Sequence, residues 1–306
     1  MIIKIGTRGS PLARAQAQEV RARLIAAHSS FAEDGAIHIE IIKTSGDKFI
    51  ESSLEEIGGK GLFTKEIEDA LLEKKIDIAV HSMKDMPTAL PSGLIVDCIL
   101  PREDPRDVLI SQNGGGIKNM PIGAKVGTAS LRRRSQLLRL RPDLKISLLR
   151  GNINTRLLKV EKEEIQGTLL AYAGLKRLNK YKNKWSILSS NEMLPAVGQG
   201  AIGIERRIED QSIAEILEPL NCPTSNSRVV AERSLLSELD GSCRMPIAGL
   251  AELIDGSFLK LRGLISDSDG VICHEMECSS AINDASFLGK EVGAKLKALR
   301  GNNFNG

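Results

Sequence analysis

The sequence predicts an α/β protein: two α/β lobes joined by a double hinge, then a small α+β domain with a three-stranded antiparallel sheet. Three observations predict it. Short apolar runs alternate with helical patterns through the first two-thirds of the 306 residues, the grammar of α/β lobes. Proline- and glycine-marked crossings fall at 101–105 and 195–200. Two Asp-Gly pairs, Asp255-Gly256 and Asp269-Gly270, separate β-like runs near the end, a strong hairpin pattern.

The elements follow in order. Residues 2–6 read as a strand. Ser10-Pro11 then starts a helix, a cap followed by proline at the first helical position, with Leu12, Val20, Leu24 and Ala27 on one face. Residues 36–43 read as a strand, 62–74 as a helix, and 76–81 and 94–100 as strands. Beyond Pro101 and Pro105, strands are expected at 107–111, 145–149 and 168–171, with helices between them. The run 201–205 reads as a strand that returns to the first lobe. The expected domains are 1–100 with about 200–219, 101–199, and 220–306. The last begins with a helix over 225–239, continues with three strands, and ends in a helix capped by Asp284 with Phe287, Leu288, Val292, Leu296 and Leu299 inward.

Composition sets bounds. Hydrophobic residues make up 42% and charged residues 26%, ordinary for a globular chain. No run approaches the ~20 apolar residues that span a bilayer, and the start turns polar after six residues, so neither membrane nor secretory segment is expected. Five scattered cysteines fit thiols in a reducing cytoplasm better than disulfides. Aromatics at 3% and a net charge of +3 argue against nucleic-acid binding. Cys273, His274 and Cys278 share one strand and lack a second ligand pair, so no metal site is expected. Gly198–Gly203 matches G-x-G-x-x-G but follows a proline and leads into a strand, the reverse of a dinucleotide fingerprint.

Positive charge is concentrated instead. Between Gly127 and Arg156 the chain sets seven arginines against one acid, Asp143. Arginine binds carboxylates and phosphates bidentately and stays charged. Ser130 reads as the cap of a helix that ends before Pro142, which puts Arg132 and Arg133 in the first turn, against the helix dipole. An anion there would remove the conflict. Arg150 and Arg156 bracket Gly151 and Asn152 at another strand-to-helix junction.

Ligands of open α/β sheets bind beyond the carboxyl ends of strands. That rule gathers Arg8, Ser10, Ser82, Lys84 and Asp85 at one rim, with the arginine junctions on a facing rim. Asp85 is then a candidate for proton transfer or for stabilising a cation; a turn-capping aspartate or a partner for Lys84 is the alternative. Cys243, in a loop beside Arg244, reads as a nucleophile, a redox site, a covalent attachment point or an inert thiol. His81, ending an apolar strand, reads as a core histidine. The polar segment 45–63, with Gly58-Gly59-Lys60-Gly61, reads either as a lid or as a surface excursion.

Eight segments together resemble the porphobilinogen deaminase (hydroxymethylbilane synthase) family: Gly6–Ala13, Gly58–Phe63, His81–Asp85, Gly127–Arg133, Arg150–Arg156, Ala173–Leu178, Pro195–Gly200 and Gly241–Arg244. They occur in the family's order and cover nearly the whole chain. The resemblance implies two lobes like type II periplasmic binding proteins and a third domain bearing a cofactor cysteine. It implies a transferase of porphyrin and haem biosynthesis that condenses four porphobilinogens head to tail, with loss of ammonia, into hydroxymethylbilane. The implied cofactor is dipyrromethane, thioether-linked to Cys243. Asp85 would be the catalytic carboxylate. Ser82, Lys84, Thr128, Ser130, Arg132, Arg133, Gly151 and Gln199 would contact the cofactor, with Gln199 near the hinge. Arg8, Ser10, Phe63, Arg150, Arg156 and Arg177 would hold substrate, and Lys60 would sit in a mobile loop. The family further implies a cytoplasmic monomer whose product passes to the next enzyme of tetrapyrrole synthesis. Ala129 and Met245 depart from the family's common residues, and neither carries a proposed role. A non-enzymatic anion-binding protein would share the lobes and arginines, but would need neither Asp85 nor a loop cysteine.

Overall fold

The computed structural model describes residues 2–45, 64–239 and 245–300. Lys60, Phe63 and Cys243 lie outside them. The chain forms two compact units, Met1–Arg102 with Ala201–Asn226 and Glu103–Gly200 with Ser227–Gly306.

The first unit is built on a five-stranded sheet in the order β2-β1-β3-β10-β4. Its strands are β1 (Ile3–Arg8), β2 (Ile37–Ile42), β3 (Ile78–Ser82), β4 (Leu94–Ile99) and β10 (Ile202–Arg207). β1, β2 and β3 run parallel, and β10 lies antiparallel between β3 and β4. The strand that follows the second crossing therefore belongs to the first sheet. Helix α1 (Pro11–Ala27) opens with Ser10, whose hydroxyl accepts from Ala13 N at 3.2 Å, and with proline in the first turn. Its buried stripe is Gln16, Ala17, Val20 and Leu24. Leu12 is only half-buried and Ala27 is exposed, so the expected face is rotated. Gln16, a polar residue, joins the buried stripe and pairs with Ser82. Within the expected 62–74 helix, α2 spans Lys65–Leu72. One core cluster joins Ile3, Ile5, Val20, Leu24, Ile78, Val80, Ile202 and Ile204.

The second unit repeats the plan. Its sheet runs β7-β6-β8-β5-β9, from β5 (Asp107–Ser111), β6 (Lys125–Gly127), β7 (Lys145–Ser147), β8 (Gly167–Ala171) and β9 (Ser186–Ile187). β6, β7 and β8 are parallel, while β5 is antiparallel to both β8 and β9. In each sheet the antiparallel fourth strand is the one entered after a crossing. Helices α3 (Leu131–Leu140), α4 (Ile153–Glu161) and α5 (Tyr172–Arg177) follow β6, β7 and β8. β6 and β9 escaped the sequence reading; at three and two residues neither is long enough to show alternation.

After α6 (Gln211–Leu217), α7 (Pro223–Glu238) leads to a three-stranded antiparallel sheet of β11 (Ile247–Ile254), β12 (Phe258–Ser266) and β13 (Cys273–Ala281), closed by α8 (Ala285–Arg300). Asp255 and Gly256 have φ of 50° and 76°, and with Ser257 they make a three-residue connection, since Ile254 pairs with Phe258. Leu288, Val292 and Leu296 of α8 are buried, with Ala285, Gly289 and Gly293. Phe287 and Leu299 are instead 67% and 49% exposed. Two glycines supply the close contact that those larger residues were expected to make: Gly289 packs on Ala231 O and Gly293 on Glu238.

Candidate active site

In the first unit the parallel pairing of β1 and β3 brings their carboxyl ends to the same edge of the sheet. Arg8 ends β1, Ser82 ends β3, and Lys84 and Asp85 occupy the 3-10 turn Met83–Asp85 directly beyond it. Gln16 Nε2 donates to Ser82 Oγ at 2.8 Å, and Ser82 Oγ lies 3.1 Å from Gln16 Oε1. The first helix thereby fixes the hydroxyl at the rim. Asp85 is exposed, and Lys84 is half-buried. His81 is buried and its Nε2 lies 3.0 Å from Glu205 Oε2. This is the core histidine that the sequence predicted, with a buried carboxylate as partner. Burial pushes the nearby Glu68 carboxyl above its usual range; Thr64 pulls it down, and Glu205 adds to the rise.

In the second unit the carboxyl ends of the parallel trio carry the remaining candidates. Thr128 follows β6; its N donates to Ser147 O at 2.9 Å, and its Oγ1 accepts from Ser130 N at 3.1 Å. Ser130 caps α3, accepting from Arg133 N at 3.4 Å. Arg150 and Gly151 follow β7, where Gly151 has φ of 103° and its carbonyl accepts from Arg156 Nε at 2.9 Å. Arg177 ends α5 and donates to Gly200 O at 3.2 Å.

Arg132 and Arg133 occupy the predicted first turn, but the conflict with the helix dipole is answered from within. Both are 5% exposed and flank Asp107, which is fully buried at the start of β5. Arg133 Nη2 and Nε donate to Asp107 Oδ1 at 2.7 and 3.2 Å, and Arg133 Nη1 donates to Leu169 O at 2.9 Å. Arg132 Nη1 lies 2.8 Å from Asp107 Oδ2, at ion-pair range, but its aligned hydrogen bond goes to Leu194 O at 2.8 Å. Gln199 Nε2 donates to Asp107 Oδ1 at 3.1 Å and to Pro105 O at 2.6 Å. Burial alone would push the Asp107 carboxyl up; the two guanidiniums outweigh it and hold it well below the usual carboxylate range. Burial also lowers Arg132, against the opposing pull of Asp107.

The acid that pairs with these arginines, Asp107, is one the sequence reading did not single out. Asp107 was missed because in sequence it stands among the mixed charges of Arg102–Asp107, away from the arginine run. A charged residue opening the wholly apolar run Val108–Ile110 was the available sign. Gln136 was missed as well. Its side-chain amide clamps Leu194, donating to Leu194 O at 3.1 Å and accepting from Leu194 N at 2.7 Å.

Two arginines against one aspartate leave a surplus positive charge, and Arg132 Nε is a buried donor with no partner among the described residues. That arrangement fits a group bearing carboxylates. No cluster of three metal-ligating side chains occurs among the described residues, nor does any helix long and apolar enough to cross a membrane.

Comparison with known proteins agrees with this chemistry. A family profile described as "Porphobilinogen deaminase, dipyromethane cofactor binding domain" matches residues 3–215, and "Porphobilinogen deaminase, C-terminal domain" matches 227–298. The chain is 52% identical to porphobilinogen deaminase of Paracoccus denitrificans (strain Pd 1222), over 96% of this chain and 93% of that one. It is 50% identical to the chloroplastic enzyme of Oryza sativa subsp. japonica, over 99% of this chain and 85% of that one. Among solved structures, the periplasmic aliphatic sulphonate binding protein SsuA from Escherichia coli aligns over 78% of this chain and 70% of its own, at 12% identity and a TM-score of 0.40. The two family profiles and the near full-length identity establish that this chain belongs to the porphobilinogen deaminase family.

Proposed function

We propose that the chain's own residues divide the family's reaction, with the acid in the first unit and the cations in the second. The reaction is the condensation of four porphobilinogens, with loss of ammonia, into the linear tetrapyrrole hydroxymethylbilane. The observation that carries the division is the buried pair Arg132 and Arg133 around one aspartate. Each porphobilinogen brings an acetate and a propionate, so the growing chain gains two negative charges per unit. A cluster with surplus positive charge, shielded from water, binds such groups more strongly than exposed arginines would.

Asp85 is the proposed catalytic carboxylate. Its exposure in the turn beyond β3 leaves it able to meet the pyrrole N–H of porphobilinogen. There it stabilises the positive charge that develops on the ring as ammonia leaves, an electrostatic role. Lys84, Ser82, Thr128, Ser130, Arg132, Arg133, Gly151 and Gln199 hold the dipyrromethane carboxylates and backbone. Arg8, Ser10, Phe63, Arg150, Arg156 and Arg177 hold the incoming substrate. Lys60 is assigned to the family's mobile loop by resemblance alone. When bound through Cys243, the dipyrromethane would supply the free carbon end from which the chain is extended.

The same reading assigns three domains, 1–100 with about 200–219, 101–199 and 220–306, with the attachment cysteine on the third. It places the protein in the cytoplasm as a monomer that delivers its product to the next enzyme of tetrapyrrole synthesis. Scattered cysteines support the compartment.

Ammonia release tests the reading. The purified protein given porphobilinogen should release one ammonia per substrate consumed and accumulate a linear tetrapyrrole. Substrate that stays bound and unchanged would identify an anion-binding protein instead.

A further inference from the structure

Asp107 does more than neutralise. Its carboxylate takes Arg133 and Gln199 on Oδ1 and faces Arg132 on Oδ2, so one group contacts three polar side chains. Two of them belong to the first turn of α3, and the third belongs to the second crossing. Gln199 also donates to Pro105 O on the first crossing. The aspartate therefore joins the arginine turn to two of the three segments at which the chain passes between the units. Arg132 and Arg133 are long side chains with much rotamer freedom, and an acid between them removes that freedom before any ligand arrives. Preorganised donors bind more tightly because their ordering cost is already met.

The charge count points the same way. With two cations and one anion buried together, one positive charge is uncompensated, and a buried uncompensated charge is costly. A single ligand carboxylate would cancel it, and Arg132 Nε is a buried donor without a partner among the described residues.

We propose that Asp107 is a positioning residue, holding the Arg132 and Arg133 guanidiniums in one orientation so that the pair accepts one ligand carboxylate. The proposal rests on the reading that these arginines receive carboxylates.

Three variants test it: Asp107→Asn, Arg133→Gln, and the two combined. Each is purified and measured well below its melting point for the fraction of protein carrying the cofactor mass, for the rate at which cofactor-free protein gains that mass from added porphobilinogen, and for KM and kcat of the loaded fraction. Asp107→Asn is expected to slow loading about tenfold, with KM and kcat of the loaded fraction changed less than about threefold, the size expected when a group that orients a binding side chain is lost. A purely structural role would lower the melting temperature and leave the loading rate alone. If Asp107→Asn fails to fold, the combined variant restores the surplus of one charge and is compared with Arg133→Gln alone. Slower loading in the combined variant upholds the proposal; equal rates overturn it. An Arg132→Leu protein separates the two levels of the argument. If it loses cofactor while Asp107→Asn behaves as the parent, the arginine site stands and the positioning role fails. If neither change affects loading, the arginine site fails as well.

Discussion

Asp269, at the tip of the β12–β13 hairpin, forms an ion pair with Arg134 of α3 at 2.7 Å. The next residue, Gly270, lies directly against that helix: a Cβ there would strike Ser135 O and come within 3.0 Å of Arg139 N. Further along the hairpin, Arg139 meets Glu275. The C-terminal sheet is thus latched to the helix whose first turn carries Arg132 and Arg133.

Gly270→Ala should therefore destabilise the protein. The residue has φ of 75°, and the added methyl group meets backbone that cannot swing aside. The expected cost is about 2–4 kcal/mol, a fall of roughly 5–10 °C in melting temperature. Arg134→Ala removes only an exposed pair and should cost less than ~1 kcal/mol. Differential scanning calorimetry on the two variants checks the contrast; equal small shifts would show that the hairpin can be displaced freely.

Asp85→Asn should leave the fold intact, because Asp85 is exposed in a short turn. Turnover should drop by about 10²–10⁴, the range for removing a group that acts on the transition state. Steady-state ammonia release at saturating porphobilinogen measures it. Activity near that of the parent would remove Asp85 from the mechanism.

Arg132→Leu should impair both cofactor loading and stability. Removing one partner of a buried ion pair costs about 3–5 kcal/mol, although Arg133 remains on Asp107 and keeps the loss toward the lower end. Intact mass reports loading, and thermal melting reports stability. A variant that carries full cofactor would contradict the assignment.

The acid limb of stability should depend on Asp107. Its folded pKa lies below the unfolded value, so its contribution is present above the ordinary aspartate pKa of about 3.9 and is lost as pH falls toward the folded value. Asp104, Glu103 and Asp210 are also lowered and act in both proteins. Melting temperatures measured from pH 7 to pH 2 should fall more steeply below pH ~4 for the parent than for Asp107→Asn. Parallel curves would show that the carboxylate is not held by its partners.

Much of this was legible in the sequence, for identifiable reasons. The helix start at Ser10-Pro11, the capped turn at Ser130 and the Asp255-Gly256 turn rest on local backbone chemistry, and local chemistry is written in adjacent residues. The strands expected at 107–111 and 168–171 were visible because burial on both faces demands an unbroken apolar run. The partners across the fold were not visible. Asp107 reaches Arg133 over 26 positions and Gln16 reaches Ser82 over 66; both contacts depend on strand order. The inward face of α8 was misjudged because glycine marks close approach only once the opposing helix is known.

The central claim is that this chain builds its product on a dipyrromethane held by Cys243. Intact mass of the purified protein beside a Cys243→Ala variant tests it most directly. The account predicts an added mass equal to two porphobilinogens less their ammonia on the parent and none on the variant. A parent that shows the bare polypeptide mass even after incubation with porphobilinogen would contradict it.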